Sequence, residues 1–232
     1  MTNNNKKSNY KLKKHLFYDG FNSELIEKAD FMGDLEVPII RKQDLKNLPS
    51  RAIPYSKVKY EEITENDLLV FYEYDEEFRK FVSLPQDKLE IIKDFKFVST
   101  PDCSVYRDMP FWTQITNICV SRSLGVYLQD QGFNVIPNVR WGDERTYESK
   151  NDDVPIAFAG IPKGSAVSIG TYGCSQSKED KYHLENGLKN MINYIKPKTV
   201  IVYGSMNSKI FDQFKKEVNF VNLKNYTSYK RG

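Results

Sequence analysis

Acidic, basic and aromatic side chains follow one apolar stretch of the sequence in an arrangement that could support chemistry. The stretch "VIPNVRWGDERTY" (135–147) begins as an apolar run, typical of a buried strand, and continues into Trp141, Asp143, Glu144 and Arg145. Carboxylates can act as general acids or bases or hold a metal ion, and an arginine can hold an anion. This stretch is therefore a candidate for the rim of a functional cleft.

Three other predicted strands end in residues of a similar kind. The strands are "FKFVS", "SAVSIG" and "TVIVY", and the residues that follow them are Asp102 with Ser104, Thr171, and Gly204 with Ser205. Ligands bind outside the carboxyl ends of the strands in parallel α/β sheets. If the strands are parallel, all four sets of residues meet at one edge of the sheet, and we predict a single cleft there.

The predicted roles follow from the residue types. The candidate catalytic residues are Asp102, Asp143 and Glu144, whose oxygens could also hold Mg²⁺. The candidate residues for binding a substrate or an anion are Ser104, Arg122, Trp141, Arg145, Thr171, Gly204 and Ser205. We predict that the backbone at Gly204 and Ser205 could bind a phosphate because these residues lie between a strand and a helix. The chain has no Walker motif or GxGxxG, so this prediction rests on that position alone. The residues do not determine a cofactor.

Several of these residues also have a structural interpretation. Asp102 and Ser104 could cap a turn, since Asp and Ser side chains bond their own backbone in such positions. Trp141 could belong to the core, and the charges after it could form a solvated turn. Both interpretations stay open at the level of the sequence.

Arg122 lies on an apolar stripe of a long predicted helix, together with residues such as Ile118. A guanidinium in such surroundings needs a carboxylate or an anionic ligand, because desolvating an unpaired charge is costly. Asp102, Asp108 and Asp143 are the candidate partners. The sequence therefore leaves both a structural ion pair and an anion site open.

The charge distribution separates the ends of the chain from its body. The chain has 232 residues and a formal net charge of +3, and residues 1–16 and 224–232 contain basic residues but no acidic ones. Basic ends can neutralise the phosphates of a nucleic acid, and they are also typical of solvated termini. The charge pattern thus allows a nucleic-acid partner without requiring one.

The cysteine count and the hydropathy pattern indicate the setting. An odd number of cysteines, three, without a CxxC motif favours a reducing, intracellular environment. No apolar segment follows the lysine-rich start, so we expect no signal peptide. No apolar stretch approaches 18 residues, so we expect a cytoplasmic protein without a membrane span.

Strand-like and helix-like patterns alternate from Asp67 onwards. This alternation predicts an α/β fold with a mostly parallel sheet flanked by helices and an irregular N-terminal extension. We expect a mobile basic tail at 1–16, one domain over 17–223 and a basic tail at 224–232. Within the domain, 17–66 is predicted to be an irregular wrapping segment and 67–223 a strand–helix body.

Much of the chain, from about residue 30 to 210, resembles the family called domain of unknown function 4417. The matching stretches are "GDLEVPI", "IPYSK", "PDCSVYRDMP", "SRSLGVYLQDQGFNVIPNVRWGDERTY", "SIGTYGC", "KED" and "IVYGS". The resemblance implies a setting in bacteriophages or other mobile elements of bacteria, and it implies no reaction. Family members often carry His at the position of Tyr172, so a role for that His does not carry over.

Two functions from different classes remain. The first is an enzyme-like cleft at the strand ends that acts on a nucleotide or a nucleic-acid component. The second is a non-catalytic protein that binds a host or defence protein, or binds nucleic acid through its basic ends. A bound anion or metal ion at the strand ends would favour the first function, and a flat, apolar, empty surface there would favour the second.

Overall fold

The computed structural model describes residues 22–43, 45, 47–149, 153–174 and 176–231, so the predicted tail at 1–16 lies outside the described residues. The strands are β1 Phe31–Met32, β2 Val37–Pro38, β3 Arg51–Pro54, β4 Asp67–Val70, β5 Phe97–Ser99, β6 Asn134–Ile136, β7 Val167–Gly170, β8 Thr199–Tyr203 and β9 Asn219–Leu223. The α-helices are α1 Asp75–Ser83, α2 Leu89–Ile92, α3 Phe111–Asp130, α4 Glu144–Tyr147, α5 Lys178–Ile195, α6 Ser208–Phe211 and α7 Tyr226–Arg231. None of the helices in these ranges has the length and apolarity that a membrane span requires.

The predicted α/β fold with parallel sheets is confirmed. Strands β3–β6 form one parallel sheet and β7–β9 form another, each in the order of the sequence. A parallel bridge between Asn138 and Ser168 joins the two sheets just beyond β6. Two backbone hydrogen bonds of 2.8 Å support it, one from Val139 to Ser168 and one from Ser168 to Pro137. The sheets thus meet at one narrow seam.

The sequential strand order explains why the helices lie on one face of the sheets. Parallel crossovers are almost always right-handed, so strands in sequential order carry every crossover on the same side. Outward-facing residues such as Leu69 and Val98 share a core with α1 and α3. Val167 and Val202 of the second sheet pack in the same way with α5. These helices cover one face of each sheet, and the opposite, inner face of each sheet packs against other residues.

The two sheets curve so that their inner faces cover each other. Leu68, Val70 and Phe97 of the first sheet belong to one buried cluster with Ile201 and Tyr203 of the second. Each of these side chains is at most 5% exposed. Burying an aliphatic or aromatic side chain of this size contributes about 1.5–3 kcal/mol, so the inner cluster stabilises a barrel-like arrangement.

Tyr72 crosses the interior of this arrangement just after β4. Its ring stacks on Tyr203, with the ring centres 5.1 Å apart and the planes at 15°. Gly170 makes room for it, since a Cβ at that position would lie 2.5 Å from the Tyr72 ring. The two sheets therefore also contact each other through aromatic side chains near the carboxyl ends of their strands.

The N-terminal part of the domain differs from the expectation of an irregular segment. Arg51–Pro54 forms β3, which pairs in parallel with β4. The Arg51 guanidinium holds the two strands together through bonds of 2.7 and 2.6 Å to the carboxylate of Asp67. Pro54 is compatible with a strand here because β3 is an edge strand and Pro54 is its last residue.

Part of the segment predicted to be a basic C-terminal tail is a helix that contacts the body. Tyr226 of α7 donates a hydrogen bond of 2.6 Å to Glu61, and Lys230 forms an ion pair of 2.6 Å with the same carboxylate. The Arg51 guanidinium lies 5.7 Å from the centre of the Tyr229 ring. Helix α7, which follows the last strand of the second sheet, therefore lies beside β3, the edge strand of the first sheet.

Candidate functional site at the carboxyl ends of the strands

A cluster of buried and partly buried polar side chains, here called the mouth cluster, lies where β4, β5 and β6 end. It consists of Tyr72, Asp102, Asn138 and Arg140. The Asp102 carboxylate accepts a hydrogen bond of 2.8 Å from the Asn138 amide and one of 3.1 Å from Arg140 Nη1. Tyr72 Oη donates to the side-chain oxygen Oδ1 of Asn138 at 3.0 Å. The carboxylate is thus fixed by two donors, one of which is itself fixed by the tyrosine.

The surroundings shift the pKa of each titratable group of the mouth cluster. Burial raises the pKa of Asp102, while the Arg140 charge and the Asn138 hydrogen bond oppose that rise. The Asp102 charge in turn raises the pKa of Arg140, so the guanidinium stays positive. Burial also raises the pKa of Tyr72 well above its ordinary value, which keeps the phenol a neutral donor.

Most hydrogen-bond donors of the Arg140 side chain are not engaged by the described residues. A guanidinium carries five N–H groups. In the part of the chain that the structure describes, one hydrogen bond engages them, the one to Asp102. The Arg140 side chain is 23% exposed, so solvent or a ligand can reach it.

Arg122 lies below the mouth cluster and is 1% exposed. Its guanidinium donates to the backbone oxygens of Ala159 at 2.9 Å, Asn138 at 3.0 Å and Ala157 at 2.8 Å. Its partners among the described residues are thus carbonyl groups, and none of the three carboxylates suggested by the sequence is among them. Burial lowers the pKa of Arg122 to about 10, so the group remains charged at neutral pH.

The acidic residues after Trp141 belong to a different group of charges, the α4 cluster, which consists of Asp143, Glu144, Arg145 and His183. Asp143 caps α4 by accepting from the Arg145 backbone at 3.1 Å, and its carboxylate accepts from Arg145 Nη2 at 2.8 Å. The Glu144 carboxylate lies 3.8 Å from His183 Nδ1 on α5. The hydrogen bonds and ion pairs described do not join these acids to Asp102.

Trp141 packs towards α5. Its indole N–H donates to the backbone oxygen of His183 at 2.9 Å. The ring lies directly over Gly187, where a Cβ would be 2.2 Å from the indole nitrogen. The chain therefore leaves β6 through a tryptophan that anchors the segment to the helix.

The remaining predicted residues stabilise the loops around the mouth cluster. Thr171 Oγ1 donates to the Ser205 backbone oxygen at 2.8 Å and so links the ends of β7 and β8. Gly204 has a φ of +112°, a conformation that favours glycine, and a Cβ there would lie 2.7 Å from Thr171 Oγ1. Ser104 Oγ donates to Asp75 at 2.9 Å. The structure thus joins two of these strand ends directly.

The described residues offer little to a metal ion. Across those ranges no group of three or more His, Cys, Asp or Glu side chains is placed to hold one. Both Asp102 oxygens already accept hydrogen bonds, and Asp143 is bonded to Arg145. The donor set therefore gives no support to the Mg²⁺ hypothesis.

Sequence reasoning did not single out Tyr72, Asn138 and Arg140. One pattern could have found two of them. Side chains alternate between the faces of a strand, so Asn138 and Arg140 continue the inward-facing row that starts at Ile136. Tyr72 continues the row of Leu68 and Val70 by the same rule, but its partners lie far away in the sequence.

Comparison with known proteins shows that the chain is similar to bacteriophage proteins. The family described as Domain of unknown function (DUF4417) matches residues 29–224. Gene 1 protein of Mycobacterium phage L5 is 29% identical over 173 residues, which are 74% of this chain and 72% of that protein. Gene 1 protein of Mycobacterium phage D29 is 29% identical over 161 residues, 69% of this chain and 55% of that protein. No solved structure matches the chain.

Proposed function

The chain belongs to the family Domain of unknown function (DUF4417), and we propose that it acts by binding a phosphate-bearing nucleotide or nucleic-acid component at its mouth cluster. The observation that carries this proposal is the partly exposed Arg140, held by Asp102 through one hydrogen bond. A planar guanidinium with several available donors is well suited to phosphate.

The position of Arg140 supports the same proposal. It follows β6 at the carboxyl ends of parallel strands, where ligands of α/β proteins bind. The hydrogen bond from Thr171 Oγ1 to the Ser205 backbone oxygen joins the neighbouring ends of β7 and β8. Asp102 is the carboxyl group in contact with Arg140, and a raised pKa is typical of carboxyl groups that act as general acids. We assign Asp102 to positioning Arg140 and to any proton transfer to the bound ligand.

A binding experiment with one matched control tests the proposal. We expect AMP or a short single-stranded oligonucleotide to bind the wild-type chain in isothermal titration calorimetry. Arg140→Gln should weaken that binding by about 10- to 100-fold, because hydrogen bonds to charged groups contribute about 1.5–3 kcal/mol. Arg107→Gln removes the same charge from a nearby loop, where Arg107 is paired with Asp180 at 2.9 Å, and should leave binding unchanged.

Equal binding by wild type and Arg140→Gln would refute the proposal, and so would a complete absence of binding to both probes. Equal losses in the two arginine variants would show a general effect of charge rather than a site at Arg140.

Exposed aromatic rings around the same edge favour a second candidate, a non-catalytic protein that engages a host or defence protein. Trp112 is 69% exposed, Tyr172 is 79% exposed and Tyr106 is 51% exposed. Aromatic residues are enriched in the centres of protein interfaces. In this case Trp112→Ala and Tyr172→Ala should abolish binding to the partner protein, while Arg140→Gln should leave it intact.

A further inference from the structure

A small cavity lies beneath Arg140, between the loop that follows β5 and the first half of α3. Its volume is about 10 Å³, which is the space of about one water molecule or one oxygen atom. The polar residues that line it include Arg122, Arg140, Asn117 and Asn138, and no acidic residue of the described ranges lines it. The cavity is therefore polar and has two guanidinium groups in its wall.

The charge around this cavity is incompletely balanced. Arg122 is fully buried and its described partners are three backbone carbonyl groups, so no negative charge compensates it there. Asp102 compensates Arg140, but Asp102 is not part of the cavity wall. A buried charge without a counterion is costly, and a charge-assisted hydrogen bond to an anionic oxygen is stronger than one to water.

The hydrogen-bond inventory agrees with this imbalance. The three bonds of Arg122 use three of the five N–H groups of a guanidinium, one on each nitrogen. Arg140 uses one of its five within the described residues. Both arginines line the cavity and retain N–H groups that no described residue engages.

We propose that this cavity is an oxyanion subsite, which takes one oxygen of the phosphate of the bound ligand between Arg140 and Arg122. This inference rests on the proposed function, because the phosphate that Arg140 binds there is the one whose oxygen enters the cavity. The size of the cavity admits a single oxygen, so the rest of the phosphate stays on the exposed side of Arg140. Arg122 is then a binding residue as well as a link between α3 and the backbone after β6.

Val105 allows the subsite to be blocked without touching a charge. It lines the cavity and is 3% exposed. Val105→Ile adds one methyl group to the wall of a space that holds about one atom, and Val105→Ala enlarges that space instead. The probes are inorganic phosphate and AMP, measured by calorimetry, together with the side-chain Nε–H resonance of Arg122 in NMR spectra. Thermal unfolding of each variant provides the check on folding.

We expect inorganic phosphate to shift the Arg122 resonance of the wild-type chain and to bind Val105→Ile at least tenfold more weakly, with Val105→Ala close to wild type. An unchanged Arg122 resonance at saturating phosphate, or equal affinity in Val105→Ile, would overturn the subsite. If AMP binding then still depends on Arg140, the proposed function survives alone. If neither probe binds the wild-type chain, both fail.

Discussion

The mouth cluster and the α4 cluster each contain an Asp–Arg ion pair, but the two arginines differ in how many of their N–H groups are hydrogen-bonded to the protein. In the α4 cluster, Arg145 bonds both the Asp143 carboxylate and the backbone oxygen of Arg107. In the mouth cluster, Arg140 has one described bond, to a carboxylate that is more deeply buried. Of the two Asp–Arg pairs, the one in the mouth cluster thus leaves more arginine N–H groups available to a ligand.

The pKa directions of the two aspartates express the same difference. Burial raises the pKa of Asp102 more than its donors lower it. Burial acts in the same direction on Asp143, but the hydrogen bonds from Arg145 outweigh it and hold the pKa below its ordinary value. The neighbours of Asp143 therefore stabilise its charged form, whereas the burial of Asp102 disfavours its charged form.

The largest effect on stability is expected directly beneath the mouth cluster. Arg122→Met should lower the free energy of unfolding by about 3–5 kcal/mol, because it leaves three buried carbonyl oxygens without their donor. Urea denaturation monitored by circular dichroism measures this loss. Arg145→Met is the matched control in the α4 cluster and should cost less, since its side chain is 38% exposed. Equal losses would contradict the contrast between the two clusters.

The pH dependence of stability should have opposite signs for the two aspartates. The folded-state pKa of Asp102 lies above its ordinary value of 3.8, so its contribution to stability falls as the pH rises from about 4 through the raised pKa. The folded-state pKa of Asp143 lies below 3.8, so its contribution is present above that value and is lost as the pH falls through the lowered pKa.

Urea denaturation of Asp102→Asn and Asp143→Asn between pH 2 and pH 8 separates these cases. Relative to wild type, Asp102→Asn should gain stability as the pH rises. Relative to wild type, Asp143→Asn should lose stability as the pH rises through the acidic part of the range. The same sign for both variants would remove the distinction between the clusters.

The smallest effects are expected for substitutions at the helix cap of the α4 cluster and at the exposed ion pair of Arg107. Asp143→Ala removes the N-cap of α4 and the ion pair with Arg145, and should cost about 1 kcal/mol. Arg107→Gln breaks a pair in which Arg107 is 33% exposed and should cost less than about 0.5 kcal/mol. Differential scanning calorimetry orders the two variants. A loss above about 2 kcal/mol for Asp143→Ala would mean that the cluster has a larger structural role.

The parts of the fold that the sequence predicted correctly are those with a clear local pattern. The apolar stripe with Leu184, Leu188 and Met191 predicts α5, and all three residues are buried against the second sheet. Gly132, with a φ of +92°, follows the end of α3, a position where glycine commonly ends a helix. Strand β3 was missed because Pro54 argues against a strand, and only pairing with β4 shows that it lies at an edge.

The site was harder to predict because it depends on where side chains point after a strand ends. The rule about carboxyl ends located Asp102 and the contact between Thr171 and Ser205. It could not show that Trp141 and the acids after it turn towards α5, since that direction is set by a glycine on a distant helix. The functional roles of these residues remain predictions for the experiments above.

The isolated bridge between Asn138 and Ser168 is the backbone connection between the two sheets in the part of the chain that the structure describes. One backbone bridge joins the sheets, so side chains such as the stacked Tyr72 and Tyr203 resist most of a rotation of one sheet against the other. Asn138 occupies the bridge and also binds Asp102. A ligand that displaced Arg140 would therefore act, through Asp102 and Asn138, on the isolated backbone bridge between the two sheets.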